Sequence, residues 1–272
     1  MSATTPARVW RGGADRALAP GPDRVATEAP LEIRIGGRRL GITMRTPGHD
    51  VELALGLLVA EGVITDAGDL STVTQPPAGP MQHVVDVTLA PSVTFDLDRL
   101  SRHVTVTSAC GICGAPSLDA AHRRLPPVPP GPPLAVETLL ALPAALERTQ
   151  SAFADTGGLH AAALFAPDGT LIAAREDVGR HNAVDKILGW GLLGGRLPFS
   201  DHVLLVSGRA SFEIVQKALA ARIPIVAAVS APSSAAVTFA DEADQTLVGF
   251  LRPPTFTVYT HPERIHSDPA PA

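Results

Sequence analysis

The two cysteines of this 272-residue chain offer the clearest chemistry, because thiols can bind metals, form disulfides or act as nucleophiles. Cys110 and Cys113 stand three positions apart in the stretch SACGICGAPS, residues 108–117, and the chain has no other cysteine. Four interpretations fit the pair: a zinc site, a redox-active dithiol, an inert buried pair and a thiolate that carries sulfur. A structural disulfide is the weaker explanation for a chain that we expect in the reducing cytoplasm.

The residues around the pair separate these interpretations in part. Zinc usually takes four protein ligands, or three and a water molecule, and His103 and His122 lie nearby without forming a second paired motif. The zinc deaminase signature is incomplete, since no H-x-E precedes the pair and Ala109 stands where that signature has proline. Gly111 and Gly114 favour an exposed, mobile loop, where a cysteine can combine access with a lowered pKa. We therefore predict no intrinsic metal, and a thioredoxin-like dithiol stays open.

Two loops of small residues follow predicted strands in the second half of the chain. SGRAS (Ser207–Ser211) follows HVLLV, and SAPSS (Ser230–Ser234) follows IPIVAAV. Each loop would place hydroxyl groups and free backbone N–H groups at a helix N-terminus, where anions are stabilised, with Arg209 as a counter-charge. The functional interpretation is a phosphate or nucleotide site. The alternative is ordinary helix capping by serine, which is very common.

The stretch REDVGRHNAVDK, residues 175–186, is dense in polar groups for an alanine-rich chain. His181 and Asp185 are four residues apart, would share a helix face and could do acid–base chemistry or orient a ligand. Asn182 is expected to cap the helix. The alternative is a solvated helix start with side-chain caps, but the density of groups favours a site. The candidates are Glu176, Asp177, Arg180, His181, Asn182, Asp185 and Lys186.

The elements that would position these residues fall into several parts. Residues 1–28 are polar and rich in alanine and proline, which predicts a flexible, loose leader. Residues 29–125 predict a small N-terminal α+β domain that ends in the C-x-x-C loop. Residues 126–133 belong to a proline-rich run that can be neither helix nor central strand, which predicts a stiff linker. The predicted elements of the small domain are a hairpin in Leu31–Met44 turning at Gly36 and Gly37, a helix capped by Asp50 and ended by Gly62, and a strand at His83–Leu89.

Residues 134–272 predict a larger C-terminal α/β domain. Strands and helices alternate through HVLLV, SFEIVQKALAA, IPIVAAV, SSAAVTFADEA and TLVGFL, which is typical of parallel strands with right-handed crossovers. In such a sheet, ligands bind beyond the carboxyl ends of the strands. We therefore expect the two serine-rich loops and the segment after TLVGF to share one edge.

Composition limits the classes of function. The formal net charge is −5 and the chain has no long basic run, which argues against nucleic-acid binding as its main role. The first residues lack the apolar segment of a signal peptide, and no apolar stretch is long enough for a membrane helix. We expect a cytoplasmic protein without membrane or nucleic-acid partners.

Nine stretches resemble the formate dehydrogenase accessory sulfurtransferases of the FdhD/NarQ family. They cover about residues 29 to 266 in family order, and EDVGRHNAVDK together with SAPSS is very specific. His49 departs from the acidic residue that the family more often has there. The resemblance implies a three-layer C-terminal domain similar to the cytidine deaminase fold without its zinc. The stretches are APLEIRI, TPGHDVELALGLLVAEGVI, SACGICG, HAAALF, EDVGRHNAVDKILG, SGRASFEIVQKA, IPIVAAVSAPSSAAV, TLVGFLR and FTVYTHPERI.

The resemblance also implies a function. Such a protein takes sulfur from a cysteine desulfurase as a persulfide and delivers it to the molybdenum cofactor of formate dehydrogenase. The persulfide position maps onto Cys110, and Cys113 assists or resolves. The cargo is the bis(molybdopterin guanine dinucleotide) form, bound by a homodimer that meets the catalytic subunit of formate dehydrogenase. The alternative is a non-catalytic chaperone for the cofactor. The predicted cofactor contacts are Phe250, Leu251, Arg252, Pro253, Pro254 and Thr255 from the resemblance, with Ser207, Gly208, Arg209, Ser230 and Ser233 from the loops.

Overall fold

The computed structural model describes residues 2–76, 83–96 and 126–267, in which helices and strands alternate. The helices are α1 (Asp50–Ala60), α2 (Val136–Glu147), α3 (Ser151–Thr156), α4 (Arg180–Leu193), α5 (Phe212–Ala220) and α6 (Ser234–Glu242), with 3₁₀ turns at Ala67–Asp69 and Pro262–Arg264. The strands are β1 (Thr4–Gly13), β2 (Arg16–Ala26), β3 (Ala29–Ile35), β4 (Arg38–Arg45), β5 (Leu70–Thr74), β6 (Val84–Leu89), β7 (Leu134–Ala135), β8 (His160–Phe165), β9 (Leu171–Asp177), β10 (Val203–Val206), β11 (Ile225–Ala228), β12 (Thr246–Arg252), β13 (Thr255–Thr260) and β14 (Ile265–His266).

The largest sheet has six strands in the order β13-β12-β11-β10-β8-β9. Its centre is parallel: β10 pairs with β11, and β11 pairs with β12, with α5 and α6 as the connections. The outer strands β8, β9 and β13 run antiparallel to their neighbours. The predicted alternation of strand and helix, and with it the α/β class, is confirmed.

The two faces of this sheet pack against different helices. Leu204 and Val206 of β10 belong to one apolar cluster with residues of α1, α4, α5 and α6. Val203 and Leu205 of the same strand belong to a second cluster with residues of α2. Because strand side chains alternate between faces, the sheet forms the middle of three layers. The similarity to cytidine deaminases stays a prediction.

A second sheet of four strands, in the order β4-β3-β6-β5, precedes this part. The predicted hairpin turns at Gly36 and Gly37, whose φ angles of 57° and 78° lie in the left-handed region that glycine adopts without strain. Helix α1 follows, but its N-cap is His49 and makes no side-chain capping bond. The prediction that Asp50 caps this helix is wrong, because its carboxylate accepts hydrogen bonds from Nε (2.8 Å) and Nη2 (2.7 Å) of Arg45.

Helices α1 and α4 join the two sheets through close backbone contact. A Cβ atom on Gly56 would lie 1.7 Å from the carbonyl oxygen of Asp185, and one on Gly189 would lie 1.9 Å from that of Glu52. The larger apolar cluster consequently contains residues of both sheets, such as Leu31 and Leu204. The predicted N-terminal and C-terminal parts therefore share one core, and their status as separate domains stays a prediction.

Residues 4–26 form an antiparallel hairpin of β1 and β2, so the prediction of a loose leader is wrong for them. Most of its side chains are exposed, including Trp10 at 63% and Leu18 at 70%. Arg24 makes an ion pair with Asp155 of α3 at 3.7 Å. Backbone pairing, and not the burial of side chains, holds the hairpin together. Its sequence therefore shows little apolar periodicity.

The proline-rich run at residues 126–133 has no helix or strand, as its composition predicts, but it does not cross open solvent. Val128 is buried, and its amide donates to the carbonyl oxygen of Ala243 at 3.0 Å. Arg222 donates to the carbonyl oxygens of Pro126 and Pro127. The segment is packed along the C-terminal part, and its role as a linker between two domains stays a prediction.

Candidate functional site

The sulfur chemistry predicted for Cys110 and Cys113 falls outside the described residues. The same holds for His103 and His122, the histidines nearest to the pair in sequence. The roles of both cysteines therefore stay predictions, and the site described below is the part that lies in residues 126–267 and the N-terminal sheet.

The three predicted binding segments meet at the carboxyl-terminal edge of β10, β11 and β12. The amide of Ser230 donates to the carbonyl oxygen of Gly208 at 3.2 Å, and the amide of Phe250 donates to that of Ser230 at 3.2 Å. Arg252 Nε donates to the carbonyl oxygen of Val229 at 2.9 Å. The structure thus brings Ser207–Ser211, Ser230–Ser234 and the end of β12 to one edge, and ligand binding there stays a prediction.

The serines at this edge have different partners. Ser233 is a helix cap, since its Oγ accepts a hydrogen bond of 3.2 Å from an amide in the first turn of α6. Ser207 Oγ accepts one of 2.9 Å from the backbone of β8. Ser211 is the N-cap of α5 but makes no capping bond, and its Oγ lies 3.1 Å from Nε2 of His181. Capping accounts for Ser233, whereas Ser211 belongs to a side-chain network.

The segment Phe250–Thr255 forms the end of β12 and the turn into β13. Phe250 has a φ of 50° and is 43% exposed at the rim of the edge. Arg252, Pro253, Pro254 and Thr255 are also exposed, as is Arg209 in the neighbouring loop. Leu251 is fully buried in the cluster against α2. The prediction for Leu251 is therefore corrected: its side chain packs in the core and only its backbone is near the rim.

A cavity of about 460 Å³ lies beside this edge, between β4 and the N-terminus of α4. One wall is apolar and includes Ile42 and Met44 of β4 with Leu53 and Leu57 of α1. The cavity adjoins the strand edge at His160, since a Cβ atom on Gly208 would lie 3.4 Å from Nδ1 of that histidine. The opposite wall is polar and is formed by His160, Gly179, Arg180, His181, Asn182, Asp185, Glu213 and Lys217.

His181 lies at the centre of the polar wall. Its Nε2 is 3.1 Å from Ser211 Oγ, and its Nδ1 is 3.3 Å from Glu213 Oε2. Burial, followed by the positive charges of Lys217 and Arg180, lowers the pKa of His181 to about 3. The order Ser–His–Glu is that of a catalytic triad, but burial and the neighbouring cations disfavour the protonated imidazole that activation of a serine requires. The three side chains are better suited to holding the polar wall in one arrangement.

Asp185 and Lys217 form a buried ion pair below His181. Lys217 Nζ lies 2.8 Å from Oδ1 and 3.0 Å from Oδ2 of Asp185, and 3.6 Å from Oε1 of Glu213. Burial raises the pKa of Asp185 to about 7. Burial lowers the pKa of Lys217, but Asp185 and Glu213 outweigh it and raise that pKa above its ordinary value. His181 and Asp185 share a helix face as predicted, yet each binds a partner on α5, so the predicted His–Asp acid–base pair is not formed.

Other side chains of residues 175–186 form ion pairs or bind backbone atoms of neighbouring elements. Lys186 Nζ lies 2.7 Å from Oδ2 of the fully buried Asp177. Glu176 accepts hydrogen bonds from two amides at the start of α3, at 3.0 and 2.7 Å. Asn182 donates to the carbonyl oxygen of Met44 at 2.8 Å. The prediction that Asn182 caps the helix is wrong, because Gly179 is the N-cap of α4.

Sequence reasoning missed three residues of the polar wall. Glu213 and Lys217 are four residues apart in SFEIVQK, a spacing that is usually a solvated surface pair, and their burial depends on α1 and α4. His160 begins β8 without any motif that marks it.

Within residues 2–76, 83–96 and 126–267, no group of three or more His, Cys, Asp or Glu side chains is arranged to hold a metal ion. Because the cysteines lie elsewhere, the expected absence of an intrinsic metal stays a prediction. In the part of the chain that the structure describes, no helix is long and apolar enough to cross a membrane.

Comparison with known proteins gives concordant matches over nearly the whole chain. The model of the FdhD/NarQ family matches residues 26–266. The chain is 48% identical to the sulfur carrier protein FdhD of Mycobacterium tuberculosis, over 97% of this chain and 99% of that protein. It is 50% identical to the sulfur carrier protein FdhD of Streptomyces coelicolor, over 92% of each chain. A crystal structure from Desulfotalea psychrophila, provisionally described as a formate dehydrogenase accessory protein, has a TM-score of 0.78 and 24% identity over 97% of this chain and all of that one, which shows the fold alone.

Proposed function

Because this chain belongs to the FdhD/NarQ family, we propose that it is a sulfur carrier in the maturation of formate dehydrogenase. One observation carries the proposal: a chain that matches sulfur carriers almost end to end has its only two cysteines in one C-x-x-C pair. A second thiol three residues away allows a sulfur atom to be accepted and then released by the same segment.

The proposed acceptance step is a thiol–persulfide exchange at Cys110. The thiolate of Cys110 attacks the terminal sulfur of a persulfide on a cysteine desulfurase. The sulfur–sulfur bond of the desulfurase persulfide breaks, its thiolate leaves, and a persulfide forms on Cys110 without net oxidation or reduction.

The proposed release step uses Cys113. Its thiolate attacks the Cys110 sulfur, so that a Cys110–Cys113 disulfide forms and the terminal sulfur leaves with both electrons of the broken bond, as hydrosulfide. The hydrosulfide then replaces an oxygen ligand of the molybdenum, and that oxygen leaves as hydroxide or water. A cellular dithiol must reduce the disulfide before the next cycle.

We propose that the strand edge binds the nucleotide end of the molybdopterin guanine dinucleotide cargo. The exposed guanidinium groups of Arg209 and Arg252 flank the edge, and the N-termini of α5 and α6 point towards it. These groups suit the oxygens of a diphosphate. The rim position of Phe250, Arg252, Pro253, Pro254 and Thr255 supports their predicted contact with the same cargo.

The proposed partners follow from this cycle. They are a cysteine desulfurase as the sulfur donor and the catalytic subunit of formate dehydrogenase as the recipient. A homodimer of this chain binds both partners in the cytoplasm.

The decisive experiment separates the two cysteines. After incubation with a cysteine desulfurase and cysteine, mass spectrometry of the wild type and of Cys113→Ala should find one added sulfur atom on Cys110. Cys110→Ala should acquire none there and should leave formate dehydrogenase inactive in cells. Sulfur-35 from labelled cysteine should reach the cofactor only when Cys110 is present.

Full activation of formate dehydrogenase by Cys110→Ala would contradict the carrier role. If that variant also retains cofactor binding, the outcome favours the alternative function, a chaperone that holds and inserts the cofactor without carrying sulfur.

A further inference from the structure

We propose that one face of the hairpin of β1 and β2 is a docking surface for an acidic amphipathic helix of the recipient enzyme. This inference rests on the proposed function, in which the catalytic subunit of formate dehydrogenase is the recipient, and it adds a surface that holds the two proteins together. The hairpin ends at residue 26, where the match to the family begins, so this surface lies outside the segment that defines the family.

The strand pairing defines this surface, which we call the docking face. Side chains alternate between the two faces of a strand, and residues that pair across the strands share a face. Trp10 of β1 pairs with Pro20 of β2, and Leu18, two residues before Pro20, extends the same face. Trp10 and Leu18 are the two most exposed of the large apolar side chains in the described residues. The docking face consists of Pro6, Arg8, Trp10, Leu18, Pro20 and Pro22.

The first argument is that only the base of this face is covered. Arg24 at the base makes its ion pair with Asp155 of α3, and a Cβ atom on Gly158, just after α3, would lie 3.3 Å from Cβ of Ala26. The docking face continues this surface and is exposed. A two-stranded hairpin is marginally stable unless further strands or a helix pack on it. The outer part of the hairpin therefore lacks the helix that covers its base.

The second argument is the shape of the uncovered part. An open groove of about 540 Å³ lies on it, lined by Pro6 and Arg8 of β1 and by Pro20 and Pro22 of β2. Trp10 borders this groove, because it pairs with Pro20. Aromatic and arginine side chains are the residue types that most often dominate the binding energy of protein interfaces. A groove between Arg8 and Trp10 suits a partner side chain that is inserted from a helix.

The third argument is charge. The hairpin carries four arginines and two aspartates, although the whole chain has a net charge of −5. The docking face has no acidic side chain, and Arg8 makes no ion pair with a described residue. At the base of the same face, Arg24 already pairs with an aspartate of a helix. The complementary occupant is therefore a helix whose apolar stripe is flanked by carboxylates.

Other occupants suit the hairpin less well. Pro6, Pro20 and Pro22 have no backbone N–H group, which disfavours the addition of another strand at either edge. Asp15 lies in the turn at the tip and would be repelled by an anionic lipid surface. The recipient is favoured over the sulfur donor, because delivery of a large cofactor requires the two proteins to stay together, whereas thiol–persulfide exchange requires contact only at Cys110.

The test measures binding of the purified catalytic subunit of formate dehydrogenase to the full-length protein by calorimetry. Trp10→Ala removes the apolar anchor, and Arg8→Glu reverses the charge of the docking face. Each should raise the Kd by about tenfold or more. High salt should weaken binding by the wild type and narrow its difference from Arg8→Glu, because salt screens exposed charges.

Two control variants separate the docking face from its surroundings. Val25→Ala shortens an exposed apolar side chain on the opposite face of the same hairpin, and Arg39→Glu makes the same charge change on β4. Both should bind the catalytic subunit like the wild type. Hydrogen exchange of the β1 amides shows whether each variant keeps the hairpin paired. Should Trp10→Ala lose this pairing, Leu18→Asn tests the same face.

The outcomes distinguish this inference from the proposed function. Equal affinity of the wild type, Trp10→Ala and Arg8→Glu for the catalytic subunit, or no binding by the wild type, would overturn the docking face. So would a Trp10→Ala protein that binds the subunit normally but loses self-association in sedimentation equilibrium, or loses binding to phosphatidylglycerol vesicles. Those results would assign the face to a second copy of the chain or to a lipid surface.

Sulfur loading is a separate measurement. Trp10→Ala should still acquire one sulfur atom on Cys110 from a cysteine desulfurase, since the hairpin is assigned to the recipient. A wild type that acquires no sulfur on Cys110 would contradict the carrier role, whatever the hairpin binds.

Discussion

At the scale of single residues, the environment of His181 determines what the polar wall can do. Neutral imidazole has one donor and one acceptor nitrogen, so Nε2 of His181 either donates to the Oγ of Ser211 or accepts from its hydroxyl, according to the tautomer. Burial and the cations Lys217 and Arg180 keep the ring from gaining a second proton. The wall therefore presents a fixed pattern of donors and acceptors, which is the property that recognition of a ligand edge requires.

This environment predicts a specific pH dependence of stability for His181→Gln. The pKa of His181 is about 3 in the folded chain, whereas the ordinary pKa of a histidine is 6.5. Between these two pH values the unfolded chain therefore binds a proton that the folded chain excludes. The wild type should therefore lose stability relative to the variant as the pH falls below 6.5, by up to about 1.4 kcal/mol per pH unit. Above pH 6.5 the difference between the two proteins should be constant.

Urea unfolding of both proteins from pH 4.5 to 8 measures this difference. The comparison between proteins is needed because burial raises the pKa of Asp185, which opposes the effect of His181 in the wild type alone. Parallel stability curves over the whole range would show that His181 titrates freely, contrary to the expected effect.

The sequence indicated which segments are rich in functional side chains, but not which of these side chains are in contact in the fold. EDVGRHN and SGRAS were both recognisable as candidate sites from their residue types. The bond between His181 and Ser211 joins positions 30 residues apart, and the buried Lys217 has the spacing of a surface pair. Leu251 shows the opposite error, since membership in a predicted binding segment does not reveal the face of the strand on which a side chain lies.

At the scale of elements, the approach of α1 to α4 sets the shape of the cavity. The two helices touch at Gly56 and Gly189, where hydrogen atoms stand in place of side chains. This contact brings Leu53 and Leu57 of α1 opposite the polar residues at the start of α4. The separation of the two cavity walls thus depends on two glycines that carry no functional group.

Gly189→Ala should destabilise the protein, by about 1–3 kcal/mol or more, because its Cβ atom would lie 1.9 Å from the carbonyl oxygen of Glu52. Helix propensity alone predicts that Gly189→Ala stabilises the protein, since alanine favours a helix by about 1 kcal/mol over glycine. Denaturant unfolding decides between the two. The control Leu193→Ala, an exposed position in the same helix, should cost about 0.5 kcal/mol or less. Stabilisation by Gly189→Ala would mean that the helices are further apart than described.

Elements with strong periodicity were predictable, and those held by other forces were not. The alternation around β10, β11 and β12 follows from short apolar runs between amphipathic helices. The hairpin of β1 and β2 carries few buried side chains, so its sequence resembles that of a loose segment even though the two strands pair along their length. His49 begins α1 in a left-handed conformation without a capping bond, which the preference for aspartate as a cap could not reveal.

At the scale of the whole molecule, the packing opposes a division into independent halves. Leu31, Leu53 and Leu58 of the N-terminal part share a core cluster with Val184, Ile187 and Leu204. Polar links reinforce this contact, since Arg175 of β9 binds both carboxylate oxygens of Glu52 at 2.5 and 2.7 Å. Burial raises the pKa of Glu52, but the hydrogen bonds from Arg175 and His49 outweigh it and lower that pKa to about 2.

A shared core predicts one cooperative unfolding transition, although chains of this length often unfold in stages. In Trp10→Phe, the remaining tryptophan, Trp190 of α4, reports on the C-terminal part by fluorescence. Its urea midpoint should coincide with that of the far-ultraviolet circular dichroism. Hydrogen exchange should give the same opening free energy for the amides of Ile33 in β3 and Leu204 in β10, because neither strand can expose its apolar face while the other stays packed. Earlier opening of β3 would support two separate domains, and the cavity would then be a cleft whose width changes as the N-terminal sheet opens and closes.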